Sequence, residues 1–287
     1  MRRLTVTDVP ALDLFYPCDD STPQLLELLH ACLDDFQPVA IHEHEGGNGW
    51  RVFFKTPDTR DGAARALTAD FAGRLTSVSP ADVPDDGWAA RSQAKLGAVR
   101  IEQIVVAPPW ETSAAKRGEI LVVIEPSMGF GTGHHATTRL CLQLLQNVTV
   151  KGRRVIDVGT GSGVLAIAAS RLGAATTVAV DCDPDALENA RDNIARNGVS
   201  GAIEVLEADL GVLDIESADI VVANLTSAVL QRYATSLDGL LRPDGTLIVS
   251  GFGPDELFAV QQAFGRSAST SLTDEAWCAA AFSSRLP

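Results

Sequence analysis

The chain has 287 residues, 46% hydrophobic and 21% charged, a balance that supports a large buried core and argues against an intrinsically disordered protein. Its formal net charge of −14 repels phosphate backbones, so direct nucleic-acid binding is not expected. Five scattered cysteines with no CxxC pair, prolines and aspartates behind Arg2 and Arg3, and no apolar run near the ~20 residues of a spanning helix exclude a disulfide framework, a signal peptide and a membrane span, which leaves a cytoplasmic protein.

In chain order, residues 12–16 predict a strand, and 23–36 a helix with leucines at helical spacing behind Ser21 or Thr22. Residues 38–44 read as extended, Gly46-Gly47-Asn48-Gly49 as a hairpin turn into a strand at 50–55, 58–71 as a helix and 75–78 as a strand. This βαββαβ order predicts a small ferredoxin-like α+β domain over residues 1–80. Residues 81–118 read as a linker carrying a strand. The strands expected at 99–106 and 119–124 suggest a hairpin joining the domains. From 119 to 287 the chain reads as a second, larger domain. Strands at 154–158, 177–180, 203–206, 220–223 and 246–250 alternate there with helices at 164–172, 184–197, 228–241 and 254–264, and 277–282 is expected to return as an antiparallel edge strand. Such alternation predicts a doubly wound α/β sheet that binds ligands at the carboxyl ends of its strands.

The informative residues fall at those ends. Asp157-Val-Gly159-Thr-Gly161-Ser-Gly163 follows a buried strand and opens a helix, so its glycines allow a tight turn and a close approach of ligand to backbone. Asp181 closes the next strand, where a carboxylate accepts hydrogen bonds from ribose hydroxyls; the bland alternative is a helix cap before Pro184. Together these define a nucleoside site, and no Lys-Ser or Lys-Thr follows the glycines to make a nucleotide-triphosphate loop. Gly161-Ser-Gly163-Val-Leu-Ala166 also fits the dinucleotide pattern GxGxxA, which keeps a nicotinamide-dependent oxidoreductase open. Asp157 weighs against it, because an acidic side chain facing the turn disfavours a pyrophosphate and favours an ammonium or a sulfonium. Asp209, in Glu207-Ala-Asp209, is positioned to recognise an adenine amino group. Asn224, in Ala223-Asn224-Leu225-Thr226, either caps the next helix or orients a nucleophilic amine through its amide carbonyl. His42 and His44 share a strand face without further ligands nearby, so no metal is expected.

Upstream lies Glu125-Pro-Ser-Met-Gly-Phe130-Gly-Thr-Gly-His134-His135-Ala-Thr137-Thr138, a glycine-rich loop leading into a helix. With Asp157-x-Gly-Thr-Gly-Ser-Gly and Ala-Asn-Leu it resembles the ribosomal protein L-eleven (L11) methyltransferase family. The resemblance runs from about Trp88 to the end, through Arg91-Ser-Gln, Ala107-Pro-Pro-Trp110 and Trp277-Cys278. It implies a seven-stranded methyltransferase sheet and S-adenosyl-L-methionine as methyl donor. By the resemblance the donor is bound at the positions of Thr138, Gly159, Asp181 and Asn224; with the reading of the residues, the expected donor site is Thr137, Thr138, Asp157, Gly159, Gly161, Gly163, Asp181, Asp209 and Asn224. Phe130 would close over it, and Asn224 with Phe130 would form the catalytic pair. It also implies methylation of lysine and terminal amines on a ribosomal protein held by the N-terminal domain. Ser127, Met128 and Gly129 depart from the usual loop, and related lysine methyltransferases acting on an electron-transfer flavoprotein share much of the pattern, so a second protein substrate stays open. A nucleoside-binding module without catalysis is the third class of function.

Overall fold

The computed structural model describes residues 8–17, 22, 25, 26, 29, 32, 33, 36, 38–44, 47–84, 97–125, 135–274 and 276–283. The chain divides into two units, residues 1–92 and 93–287.

The smaller unit contains β1 (Asp8–Phe15), β2 (Ala40–Glu43), β3 (Gly49–Phe53), α1 (Pro57–Asp70) and β4 (Ser77–Pro84). Its strands pair antiparallel in the order β2-β3-β1-β4, the ferredoxin-like arrangement. Period-two alternation turns Leu12, Leu14, Trp50 and Val52 inward, where Leu25, Leu29, Leu33, Ala63 and Leu67 meet them in one buried cluster. Residues 22, 25, 26, 29, 32 and 33 are helical; the remaining positions of the helix expected over 23–36 lie outside the described residues. Thr56 caps α1 by accepting from the Thr59 amide, and Pro57 fills the first helical turn. The strand expected at 75–78 starts at Ser77 and runs on to Pro84, through Pro80. Proline is tolerated there because β4 is an edge strand, with one side free of ladder bonds.

The larger unit opens with β5 (Val99–Ile101), β6 (Ile104–Ala107) and β7 (Ile120–Val123). The hairpin expected between 99–106 and 119–124 is corrected. The first stretch folds on itself at Glu102, whose φ is 53°, and β7 lies parallel to β6 because the turn over Pro109–Ala114 carries the chain back to the same end. Seven strands then form one sheet: β8 (Arg154–Val158), β9 (Thr176–Asp181), β10 (Ile203–Glu207), β11 (Ala218–Asn224), β12 (Leu241–Phe252), β13 (Thr270–Asp274) and β14 (Trp277–Ser283). Their order is β10-β9-β8-β11-β12-β14-β13. β8 to β12 are parallel, β14 runs antiparallel to β12, and β13 antiparallel to β14. Thus 277–282 is antiparallel, as expected, but interior. Cys278 to Phe282 are all buried, and the outer position falls to the polar Thr-Ser-Leu-Thr-Asp strand at 270–274, which no hydrophobic pattern announces.

Helices α2 (Ala136–Gln146), α3 (Val164–Arg171) and α4 (Pro184–Arg196) cover one face of this sheet. Leu140, Leu144, Ile167 and Ile194 pack there on Val155, Val222 and Ile248. The helix expected at 228–241 is two short ones, α5 (Ser227–Arg232) and α6 (Ala234–Gly239), broken at Tyr233, where φ is −108°. With α7 (Leu257–Phe264) they cover the other face, where Leu230, Leu237, Val260 and Phe264 meet Ile156, Val221 and Val249. Burial on both faces is why these strands read as continuous apolar runs. Among the described residues no helix is long and apolar enough to cross a membrane.

Candidate functional site

The strand order reverses between β8 and β11, so the loops leaving these two strands open a crevice at their carboxyl ends. Gly159, Gly161 and Gly163 leave β8 with φ of 69°, 53° and 82°. Gly159 is required twice over. Its φ is strained for any side chain, and a Cβ there would stand 2.5 Å from Leu225 Cδ2. Leu225 follows β11 and is held by its amide donating to the Ser250 carbonyl at 2.9 Å. On its far side Gly251, φ 102°, approaches so closely that a Cβ would overlap the Leu225 carbonyl. Leu225 therefore sits between two glycine backbones and fixes the spacing of the crevice. Sequence reasoning missed Gly251, which directly follows the strand expected at 246–250 and lies within β12 in the structure.

Asp157 does not face the crevice, which corrects the role expected for it. It is fully buried, and its Oδ2 accepts from Thr160 Oγ1 at 2.7 Å and from the Ala166 amide at 3.0 Å. Burial pushes its carboxyl up to about 7, against the pull of those two donors, and the charge of Asp181 raises it further. The carboxylate thus braces the glycine turn from beneath.

Asp181, at the end of β9, is half-buried. Its Oδ2 accepts from the Gly161 amide at 2.9 Å and its Oδ1 from the Asp183 amide at 3.1 Å. It is not the helix cap: Asp183 caps α4, accepting from the Asp185 amide at 3.0 Å. Each Asp181 oxygen keeps a further lone pair for an incoming hydroxyl. The loop after β10 is tied alongside by the Ala208 amide donating to the Asp181 carbonyl at 3.0 Å. Within this loop Asp209 is exposed, with Oδ1 accepting from the Gly211 amide at 2.6 Å.

Asn224 closes β11. Thr226, not Asn224, occupies the capping position of α5, so the cap alternative for Asn224 falls away. Its Nδ2 makes a long contact, 3.5 Å, with Thr138 Oγ1, joining residues 86 positions apart and leaving the amide oxygen for another partner. Thr137 and Thr138 lie in the first turn of α2, both buried. His135 caps that helix, its Nδ1 accepting from the Thr137 amide at 3.4 Å, and its ring packs edge-to-face with Trp277, centroids 4.8 Å apart. Phe130 and His134 lie outside the described residues. Among the described residues no group of three His, Cys, Asp or Glu side chains stands close enough to hold a metal ion.

The structure therefore brings Thr138, Gly159, Gly161, Asp181, Asp209 and Asn224 to one edge of the sheet, with Thr137, Asp157 and Gly163 supporting it from within. A solved structure titled as the ribosomal protein L11 methylase of Lactobacillus delbrueckii subsp. bulgaricus superposes with a TM-score of 0.62 at 29% identity. The match covers 67% of this chain and 100% of that one. The chain is 43% identical over 189 residues to the ribosomal protein L11 methyltransferase of Pelotomaculum thermopropionicum, covering 66% of this chain and 61% of the relative. It is 38% identical over 206 residues to that of Deinococcus radiodurans, covering 67% and 76%. The matched stretch thus spans about six-tenths of the Pelotomaculum protein. The family model described as ribosomal protein L11 methyltransferase (PrmA) matches residues 42–285, from within the small unit to the last strand of the large sheet, and the chain belongs to that family.

Proposed function

We propose that this chain transfers methyl groups from S-adenosyl-L-methionine to amine nitrogens of ribosomal protein L11, in the cytoplasm, with the N-terminal unit holding the protein substrate. The family match over 42–285 carries the reading, because it takes in the glycine turn, Asp181 and Asn224 in one continuous stretch.

The residues present fit the donor. Asp181 offers two free lone-pair directions to a sugar diol, and Asp209 has an exposed carboxylate for an adenine amino group. A dinucleotide fits less well. The Gly161 amide of the turn before α3, which a pyrophosphate would need, is taken by the carboxylate of Asp181.

When bound, the donor supplies a methyl group already activated by positive sulfur, so the protein's task is alignment. Asn224, steadied by Thr138, accepts a hydrogen bond from the incoming amine through its Oδ1 and directs the nitrogen lone pair. The amine must be neutral to attack, and an apolar surround lowers a lysine pKa toward that state. Phe130 is assigned to cover the site by the family resemblance.

Incubation of the full chain with isotopically methyl-labelled donor and purified L11, read by mass spectrometry, tests the proposal. Label on L11 lysines or its terminal amine is expected. Label on an electron-transfer flavoprotein in parallel, with none on L11, would replace the substrate. No label on either, despite donor binding, would reduce the chain to a binding module.

A further inference from the structure

Two asparagines one helical turn apart, Asn193 in α4 and Asn197 just after it, are buried and use their side chains on other segments. Asn197 behaves as a strand partner for β7. Its Oδ1 accepts from the Val123 amide at 2.9 Å, and its Nδ2 donates to the Val123 carbonyl at 2.6 Å and to the Asn193 carbonyl at 2.8 Å. None of these partners belongs to the glycine turn.

Asn193 is different. Its Oδ1 accepts from the Glu125 amide at 2.9 Å, just past β7, while its Nδ2 donates to the Ser162 carbonyl at 3.0 Å and to Asn189 Oδ1 at 3.2 Å. One fully satisfied, fully buried amide therefore joins the end of β7, helix α4 and the middle of the glycine turn. Ser162 lies between Gly161, whose amide Asp181 holds, and Gly163, which leans on Ala190 of the same helix so that a Cβ would touch it at 3.4 Å. With no exposed surface, Asn193 does not reach a ligand. It holds the far side of the turn that Asp181 holds on the near side.

We infer that Asn193 is a positioning residue for the methyl donor: through the Ser162 carbonyl it sets the glycine turn at the height where Asp181 and the turn backbone together receive the nucleoside. The inference rests on the donor-binding reading above. Loss of the amide frees the 162–163 peptide to tilt, and a small misplacement of a binding backbone is costly to affinity.

The test compares Asn193→Leu with Asn197→Leu in the full chain. Both exchange a buried amide for an apolar side chain of similar size and lose backbone hydrogen bonds, so both lower the Tm. Calorimetric titration with S-adenosylmethionine separates them. The Kd is expected to rise about tenfold or more in Asn193→Leu, and to stay within about twofold of the wild type in Asn197→Leu. Equal shifts in the two variants, or an unchanged Kd in Asn193→Leu, would overturn the positioning role. Should the leucine variants not fold, Asn193→Ala and Asn197→Ala are read the same way. If the wild-type chain does not bind S-adenosylmethionine, the donor reading itself fails and takes this inference with it; if it binds and the paired variants behave alike, this inference fails alone.

Discussion

Asp157 and Ala166, nine residues apart, are joined by a 3.0 Å hydrogen bond from the Ala166 amide to a carboxylate with no exposed surface. The bond ties the end of β8 to the first turn of α3, and the burial of this carboxyl makes the fold itself sensitive to pH. Burial raises the Asp157 carboxyl from 3.8 to about 7, so the native state holds the proton more tightly than the unfolded chain. The resulting stability is fully present below about pH 4 and is lost as pH rises through about 7. Thermal unfolding of the wild type and of Asp157→Asn from pH 5 to 8 should show a steeper fall in Tm with rising pH for the wild type. The slope is the readout, because the variant also buries an amide donor where Oδ1 has no partner. Parallel curves would contradict it.

Asp181→Ala should leave the fold standing, since the side chain is half-buried at a strand end, yet weaken donor affinity by about tenfold to hundredfold. That is the worth of one or two hydrogen bonds to a charged group. Calorimetry with unchanged affinity would remove the ribose contact from the account.

Gly159→Ala and Gly251→Ala should rank in a definite order. At 159 the added Cβ meets the end of a leucine side chain, which can turn aside, and the left-handed backbone costs about 1–2 kcal/mol. At 251 it meets the Leu225 backbone, which cannot give without moving Asn224. Denaturant unfolding should find Gly251→Ala the less stable of the two. The reverse order would show that the chain after β11 is not held as described.

Asn224→Ala should separate binding from turnover. The residue reaches the crevice with an amide oxygen that no described hydrogen bond uses, so its loss should lower kcat by about a hundredfold. Donor affinity should change by less than about tenfold. A loss of donor affinity with kcat at saturating donor unchanged, measured with L11 as acceptor, would assign Asn224 to donor binding alone.

The sequence made much of this legible where local and global signals agree. Strands β8, β9 and β11 announce themselves because both their faces are buried, and the glycine turn because it needs positive φ at three nearby positions. Strand β13 was illegible: an outer strand of Thr, Ser and Asp buries too little to leave an apolar pattern. Pro80 and Pro84 disguised β4 as linker, since proline says only that a ladder bond is missing, not that the strand is. The motif position of Asp157 beside the glycines suggests a side chain facing a ligand; whether a side chain at a strand end points up or under depends on the turn it braces, which spacing does not encode. Asn193 left no mark because an asparagine in a polar helix looks solvated until the segment it holds is in place.

The most direct measurement is a calorimetric titration of the full chain with S-adenosylmethionine and, separately, with a reduced nicotinamide dinucleotide. The account predicts saturable one-site binding of the sulfonium nucleoside, weakened about tenfold to hundredfold in Asp181→Ala, and no heat from the dinucleotide. Binding of the dinucleotide with none of S-adenosylmethionine would contradict it.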